Sequence, residues 1–463
     1  MSPAPQTVAL WQQLQAVAQA LVQVRKGTSA TVAVAAVPPH LRAGVQALLF
    51  QVLRQLGRAQ ALRSQLAKRA PPPLADALLC TALALAWSDD EAPYEPHTLV
   101  NQAVEAAKKT KSLQAQANFL NACLRRFLRE RDTLVQITDS DLQAVWNHPL
   151  WWVKRLQQDY PEHWQSILQV NNQPAPMTLR VNTQKTTREQ LQQRWLAQGI
   201  EAQAVGEQGL VLAKARTVQD IPGFAEGECS VQDAAAQYAA PCLLQGLVSR
   251  QKNANAGAGI EVTVVQEVPH SLRVLDACAA PGGKTAHLLE LLDKRDQVLA
   301  LDIDAARCER IAENLQRLQL HAQVVVADAA HPKTWWDGES FDAILLDAPC
   351  TASGIVRRHP DVRWLRRETD SAQLAQMQAQ LLTTLWPLLR PGGRMLYCTC
   401  SVFKLEGELP VKAFLKHNTD ARLLPAVGHL RPQNHTIVAA LADNLAGDHD
   451  GFYYALLEKT LPT

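Results

Sequence analysis

Leu272-Arg273-Val274-Leu275-Asp276-Ala277-Cys278-Ala279-Ala280-Pro281-Gly282-Gly283-Lys284-Thr285 runs from a short apolar stretch, through an acid and a turn of small residues, into a helical pattern. A strand that breaks into a glycine turn and then a helix is the opening unit of a doubly wound α/β sheet. The paired glycines let the backbone approach a ligand closely, and the helix start offers free N–H donors. Neither GxxxxGK[ST] nor GxGxxG is present, so the turn is not a phosphate loop or a dinucleotide fingerprint.

Working outward, the same alternation continues to the C-terminal side. Leu272 to Ala277, Gln297 to Asp302, Ala322 to Ala327, Phe341 to Asp347 and Gly393 to Thr399 read as short strands, with a helix over Ala305 to Leu318. Such alternation predicts a mostly parallel sheet whose ligands sit at the carboxyl ends of the strands. The second strand ends in Asp302-Ile303-Asp304 and the third in Asp328. Each alone reads as a helix cap, but three acids in register with the glycine turn favour an adenosine-type cofactor. Without a phosphate loop, S-adenosylmethionine fits better than NAD or ATP.

Two thiols are predicted at the same rim. The fourth strand ends in Asp347-Ala348-Pro349-Cys350 and the fifth in Cys398-Thr399-Cys400-Ser401. A lone cysteine is usually a buried small hydrophobe; two at adjacent strand ends point to chemistry. Cys398 is expected to face away from Cys400 and to be structural, and with no His/Cys pair to complete a tetrahedral zinc site no metal is expected. Methylating carbon 5 of a cytosine needs a thiolate to add at carbon 6, an acid at ring nitrogen 3 and a base for the carbon 5 proton. Cys400, Cys350 and Asp347 supply candidates, with Lys284 able to lower a thiol pKa or orient the base.

Upstream, residues from Val8 to about Arg131 recur in apolar threes and fours, as in Val45, Leu48, Leu49, Val52, Leu53 and Leu56. Gly27 to Ser29, Val37-Pro38-Pro39 and Ala70 to Pro73 punctuate an all-helical bundle. Residues 1–140 hold fifteen Lys and Arg against nine acids, although the whole chain is only +2, a distribution that suits nucleic acid. Between the two parts lies a small α+β module: Trp146, Trp151, Trp152 and Trp164 crowd a helical region, followed by strands at Met177 to Asn182 and Gly209 to Leu212 around a helix near Gln190 to Gln198. The expected domains are 1–139, 140–230 and 231–463, with a low-complexity loop at 249–259.

LDACAAPGGKT, LDID, LLDAPC and YCTCS, with SGIVRRHPDVRWLRR after the third, together resemble the bacterial RNA cytosine-5 methyltransferases. The resemblance implies Cys400 as nucleophile and Cys350 as the thiol that assists product release; DNA cytosine methyltransferases lack the Thr-Cys thiol, so RNA is favoured. Thr98 to Val104 and Asn118 to Phe127 resemble the NusB-like RNA-binding domain, and His148-Pro149-Leu150-Trp151 and Leu179-Arg180-Val181-Asn182 look like the module that follows it in the RsmB type. The implied fold is multidomain: a NusB-like helical domain, a small α+β module and a Rossmann-like class I methyltransferase domain. The implied substrate is 16S ribosomal RNA, with transfer RNA methylation or a non-catalytic RNA-binding factor as alternatives.

The expected cofactor site is Cys278, Ala279, Ala280, Pro281, Gly282, Gly283, Lys284, Asp302, Asp328 and Asp347. Arg357, Arg358, His359, Arg363 and Trp364, with Arg366 and Arg367, are expected to hold phosphates or stack on a displaced base. The family usually continues Thr-Cys-Ser with Pro-Glu-Glu-Asn, whereas Lys404-Leu405-Glu406-Gly407 keeps only Glu406. The nine cysteines are expected to be mostly free thiols. There is no uninterrupted apolar run of about 18 residues and no signal-peptide pattern in the opening MSPAPQTVALWQQLQ, so a cytoplasmic monomer without a membrane partner is expected.

Overall fold

A computed structural model describes residues 8–88, 93–247, 271–434 and 444–461; the low-complexity stretch 249–259 lies outside them. The chain divides into two compact units, one formed by residues up to Pro174 together with Val356–Glu368, the other by Ala175–Ile355 and Thr369–Thr463.

The first unit is helical. Its helices include Leu10–Arg25, Ala30–Ala35, Pro39–Arg54, Leu56–Leu66, Pro73–Ala86, Pro96–Lys109 and Ala117–Thr138. The predicted punctuation works as expected: the Ser29 hydroxyl accepts the Val32 N–H, and Pro39 and Pro73 occupy first-turn positions, where a missing N–H costs nothing. Pro73–Ala86 is the central helix, with every residue from Ala75 to Ala86 buried, so apolar residues cover its whole circumference. Its one acid, Asp76, is neutralised by Arg25 at 2.7 Å and Arg63 at 2.9 Å.

The first compact unit runs past the expected boundary at 139, to Pro174. Helices Leu142–Trp146, Leu150–Asp159 and Trp164–Asn171 belong to the helical unit, so the expected middle module is divided between the two units. The segment Val356–Glu368 also belongs there, although it is distant in sequence from the rest of that unit. It is held by its polar groups: Asp361 accepts the Ala30 N–H at 2.8 Å, Arg54 donates to the Arg357 carbonyl at 2.8 Å, and Trp364 donates its indole N–H to the Leu53 carbonyl at 2.7 Å. Arg363 is fully buried and donates to the Asn147 and Asn171 carbonyls and the Asn172 side chain.

The second unit holds two sheets. Strands β1 (Thr178–Val181), β2 (Ala202–Val205), β3 (Gly209–Leu212) and β4 (Cys229–Val231) form an antiparallel sheet in the order β2-β3-β1-β4. Helix Arg188–Ala197, opened by a Thr187/Gln190 capping box, buries Leu191 and Trp195 in the same core as Leu179, Val181 and Leu210.

The larger sheet has seven strands: β5 (Arg273–Ala277), β6 (Gln297–Asp302), β7 (Gln323–Val326), β8 (Phe341–Asp347), β9 (Leu389–Thr399), β10 (Ala421–Leu430) and β11 (Phe452–Lys459). Their order is β10-β11-β9-β8-β5-β6-β7, with β11 alone running opposite to the rest. The five predicted strands match β5 to β9 within a few residues, and β10 and β11 complete the sheet on the β9 side. Strand order reverses between β5 and β8, the place where doubly wound sheets open a crevice for ligands.

Arg363→Ala removes a buried cation and its hydrogen bonds, and is expected to lower stability by about 3 kcal/mol in urea unfolding.

Candidate active site

The turn after β5 is shaped for a ligand at the crevice. Gly282 has φ +92°, and a Cβ there would lie 3.1 Å from the Ile311 side chain, so both the left-handed backbone and the space require glycine. Helix Gly283–Leu291 starts immediately after it and points its first N–H groups into the turn. Asp276 is fully buried and accepts the Thr285 hydroxyl at 2.6 Å. Burial pushes its carboxyl up to about 7, against a smaller opposing pull from Thr285.

Asp302 is buried at the end of β6 and accepts the Ala280 N–H at 3.1 Å and the Asp304 N–H at 3.0 Å, which ties the glycine turn to the second strand. Asp304 caps helix Ala305–Leu318 through the Arg307 N–H. Asp328 accepts the Ala330 N–H at 2.9 Å and stands 2.9 Å from His331 Nδ1, with its side chain 40% exposed. Cys278 has φ +62°, and burial pushes its thiol up.

From the other side, a residue with no expected role holds the turn. Arg180, on β1, is fully buried, pairs with Glu290 at 2.7 Å and donates to the Gly283 carbonyl at 3.0 Å and to Gln232. Its signal was present in the Leu179-Arg180-Val181-Asn182 run, an arginine between two apolar residues of a strand.

The two rim thiols meet. Cys350 Sγ and Cys400 Sγ are 3.3 Å apart. Cys400 is half-buried and Cys350 is buried. The hydrogen bond to Cys400, then burial, push the Cys350 thiol well above its usual range. Cys350 therefore keeps its proton and can donate it to Cys400, the more accessible of the two sulfurs, although either thiol can be the donor in this contact.

Asp347 and Lys284 form an ion pair of 2.5 Å beside them. Burial alone would lower the Lys284 ammonium, but Asp347 and then Cys398 outweigh it, so it is pushed up and stays charged. Cys398 does not face away as expected: residues two apart along a strand share a face, and Cys398 and Cys400 border the same core. What separates them is depth. Cys398 is fully buried with its thiol 3.5 Å from Asp347 Oδ1, and Cys400 lies just beyond the end of β9.

The structure divides the residues expected to grip RNA. Arg357 and Arg363 are fully buried and Trp364 packs on the helical core, so none of the three presents its polar end to a phosphate. Arg358 is half-buried and His359 exposed, Arg366 half-buried and Arg367 exposed. Sequence spacing alone does not distinguish a solvated arginine from one that anchors a segment.

A seven-stranded sheet in this order, with a glycine turn after its first strand and charged groups at the crevice, defines the Rossmann-like domain of a class I methyltransferase. The family model for the 16S rRNA methyltransferase RsmB/F domain matches residues 263–458, that for an RsmF/B-like ferredoxin-like domain residues 148–219, and that for the NusB family residues 11–129. The chain is 43% identical over 365 residues to ribosomal RNA small subunit methyltransferase B of Vibrio cholerae, spanning 78% of this chain and 77% of that one. It is 40% identical over 368 residues to the protein of the same name from Pseudomonas putida, spanning 78% of each. The chain belongs to the RsmB/F family of 16S rRNA methyltransferases, in the NusB-containing branch of ribosomal RNA small subunit methyltransferase B. Among solved structures, that of PH0851 shares the fold over 99% of this chain and all of its own at TM-score 0.70 and 23% identity. NSun6 from Pyrococcus horikoshii, solved with SFG, shares it over 68% of this chain and 99% of its own at TM-score 0.53 and 18% identity.

The raised Asp276 carboxyl has a measurable consequence. The folded protein holds this proton up to about pH 7, whereas an unfolded chain releases it near pH 4. The group therefore favours folding most at low pH, and that contribution falls away as pH rises from about 4 through 7. Asp276→Asn should flatten this part of the pH dependence of the urea midpoint. An unchanged profile would place the Asp276 pKa in the ordinary range.

Proposed function

We propose that this chain transfers a methyl group from S-adenosylmethionine to carbon 5 of a cytosine in 16S ribosomal RNA through a covalent bond between Cys400 and carbon 6. The single observation that carries the reading is the pair of thiols at 3.3 Å, one more open and one buried and protonated, beside an ion-paired carboxylate. The substrate class follows the names of the relatives and the NusB portion of the chain.

The crevice suits the cofactor. The left-handed turn at Gly282, the N-terminus of helix Gly283–Leu291 and the Asp302 carboxylate are the features an adenosine-type ligand uses. When bound, S-adenosylmethionine supplies a methyl group on a positively charged sulfur.

Before attack, Cys350 donates its S–H to Cys400 and so stabilises the Cys400 thiolate. Cys400 then adds to carbon 6, and the electron pair of the ring double bond becomes available at carbon 5. Asp347 is held by the Lys284 ammonium, so it can pass a proton to ring nitrogen 3 only by taking one from Lys284; the pair, not the carboxyl alone, is the acid. Once Cys400 is a thioether it no longer carries the charge that held the Cys350 proton, and Cys350 can release it to solvent. The Cys350 thiolate then takes the proton from methylated carbon 5, ring nitrogen 3 returns its proton to the Asp347–Lys284 pair, the ring double bond re-forms, and the carbon 6 to sulfur bond breaks with its electrons on Cys400. One proton is released per methyl transferred, and both thiols return to their starting state.

Cys400→Ala should reduce tritiated methyl incorporation into unmodified 16S ribosomal RNA by about 10⁴-fold or more. Cys350→Ala should accumulate a covalent protein–RNA adduct that survives a denaturing gel. An adduct formed by Cys400→Ala would overturn the assignment of the two thiols, and preferential incorporation into transfer RNA would overturn the substrate.

A further inference from the structure

The loop after Cys400 departs from the family pattern and keeps Glu406, and the structure shows what that residue touches. Its side chain is fully buried. One carboxylate oxygen accepts the Thr351 N–H at 2.8 Å; the other accepts the Thr351 hydroxyl and the Ser401 hydroxyl, the latter at 2.6 Å. Thr351 follows Cys350 directly and Ser401 follows Cys400 directly. A single carboxylate thus grips the residue next to each thiol.

The surrounding bonds tighten the same junction. Ser353 and Ser401 hydroxyls lie 2.8 Å apart, and the Gly354 N–H donates to the Cys400 carbonyl at 2.9 Å. Gln378 donates to the Pro349 carbonyl at 2.9 Å and lies 3.5 Å from Glu406, while Tyr397 donates to the Glu406 carbonyl at 2.8 Å. A side chain at Gly407 would come within 2.5 Å of the His429 ring, so the departure from Asn at this position accompanies a histidine packed where that side chain would stand.

The two thiols are not supported equally. Cys400 emerges from β9, whose last residue, Thr399, is paired with Tyr453 of β11, and whose Cys398 is paired with Asp347 of β8. Cys350 lies on an irregular segment beyond β8, positioned by bonds such as those to Thr351. Loss of the Glu406 grip should therefore displace Cys350 more than Cys400.

We propose, resting on the assignment of Cys400 to attack and Cys350 to release, that Glu406 is a positioning residue that holds Cys350 against Cys400 and thereby sets the rate at which methylated RNA is released. It touches neither substrate nor cofactor in this role. Its charge also helps keep the Cys350 proton in place, after the larger effects of the Cys400 hydrogen bond and burial. Release should therefore respond to pH differently when that charge is removed.

The test compares Glu406→Gln, Thr351→Val and Cys350→Ala with the unaltered protein on 16S ribosomal RNA. In Glu406→Gln, release should slow by roughly 10- to 100-fold, in line with displacement of a reacting group by up to an ångström, and by more than single-turnover methyl transfer, which loses only the Cys350 hydrogen bond to Cys400. The covalent adduct should accumulate, KM should change little, and the rise of the release rate with pH should move to lower pH. Thr351→Val keeps the side-chain shape and the N–H bond, so it should fold even if Glu406→Gln does not, and should accumulate adduct more weakly. Equal slowing of attack and release in both variants, or no change in either, overturns the proposal. If Cys350→Ala itself traps no adduct, the assignment of the thiols fails; if it does and neither Glu406→Gln nor Thr351→Val does, only the role of Glu406 fails.

Discussion

The parallel pairing of β8 with β9, in register from Ala343 opposite Arg394 to Asp347 opposite Cys398, is the constraint on which the rest of the site depends. Parallel ladders have evenly spaced, slanted hydrogen bonds and no freedom to slip by one residue without turning every side chain to the other face. Asp347 and Cys398 therefore end at one height, and the segments that continue from them carry Cys350 and Cys400 to within 3.3 Å. β11, wedged antiparallel beside β9, fixes the other edge of the same strand.

Around that frame the protein places buried charge where it serves geometry more than stability. A buried ion pair returns little of the cost of removing its charges from water. Yet Arg180 with Glu290 holds the start of helix Gly283–Leu291, Lys284 with Asp347 stands at the crevice, and Glu406 joins the two thiol segments. Each of these groups presents several hydrogen bonds in fixed directions, which an apolar side chain of the same size cannot do. The arrangement spends stability on orientation at the rim and recovers it in the apolar cores on both faces of the sheet.

The arginine-rich stretch after Cys350 shows how different demands can share one composition. Arg and Trp side by side suit a nucleic-acid surface, but Arg363 satisfies main-chain carbonyls inside the helical unit, and Trp364 donates to Leu53. Five residues, Thr351 to Ile355, separate Cys350 from this anchored segment. Of its other members, Arg358 is half-buried and His359 and Arg367 are exposed.

Local pattern was enough for much of the molecule. Proline and serine punctuation marked the helices, the apolar runs marked β5 to β9, and the strand ends named both thiols, Asp347 and the glycine turn, because these depend on residues close in sequence. β10 was hidden by Pro425 and Gly428 and by a register shift between Leu424 and Gly428. β11 carried a readable signal in Phe452, Tyr453 and Tyr454, but its antiparallel insertion depends on which edge is left open. The division at 174, the burial of Arg357 and Arg363, the shared face of Cys398 and Cys400, and the grip of Glu406 on Thr351 and Ser401 were decided only by the tertiary structure. Each joins residues distant in sequence, and whether a polar group meets water or a buried partner is a property of the packed chain, not of its local pattern.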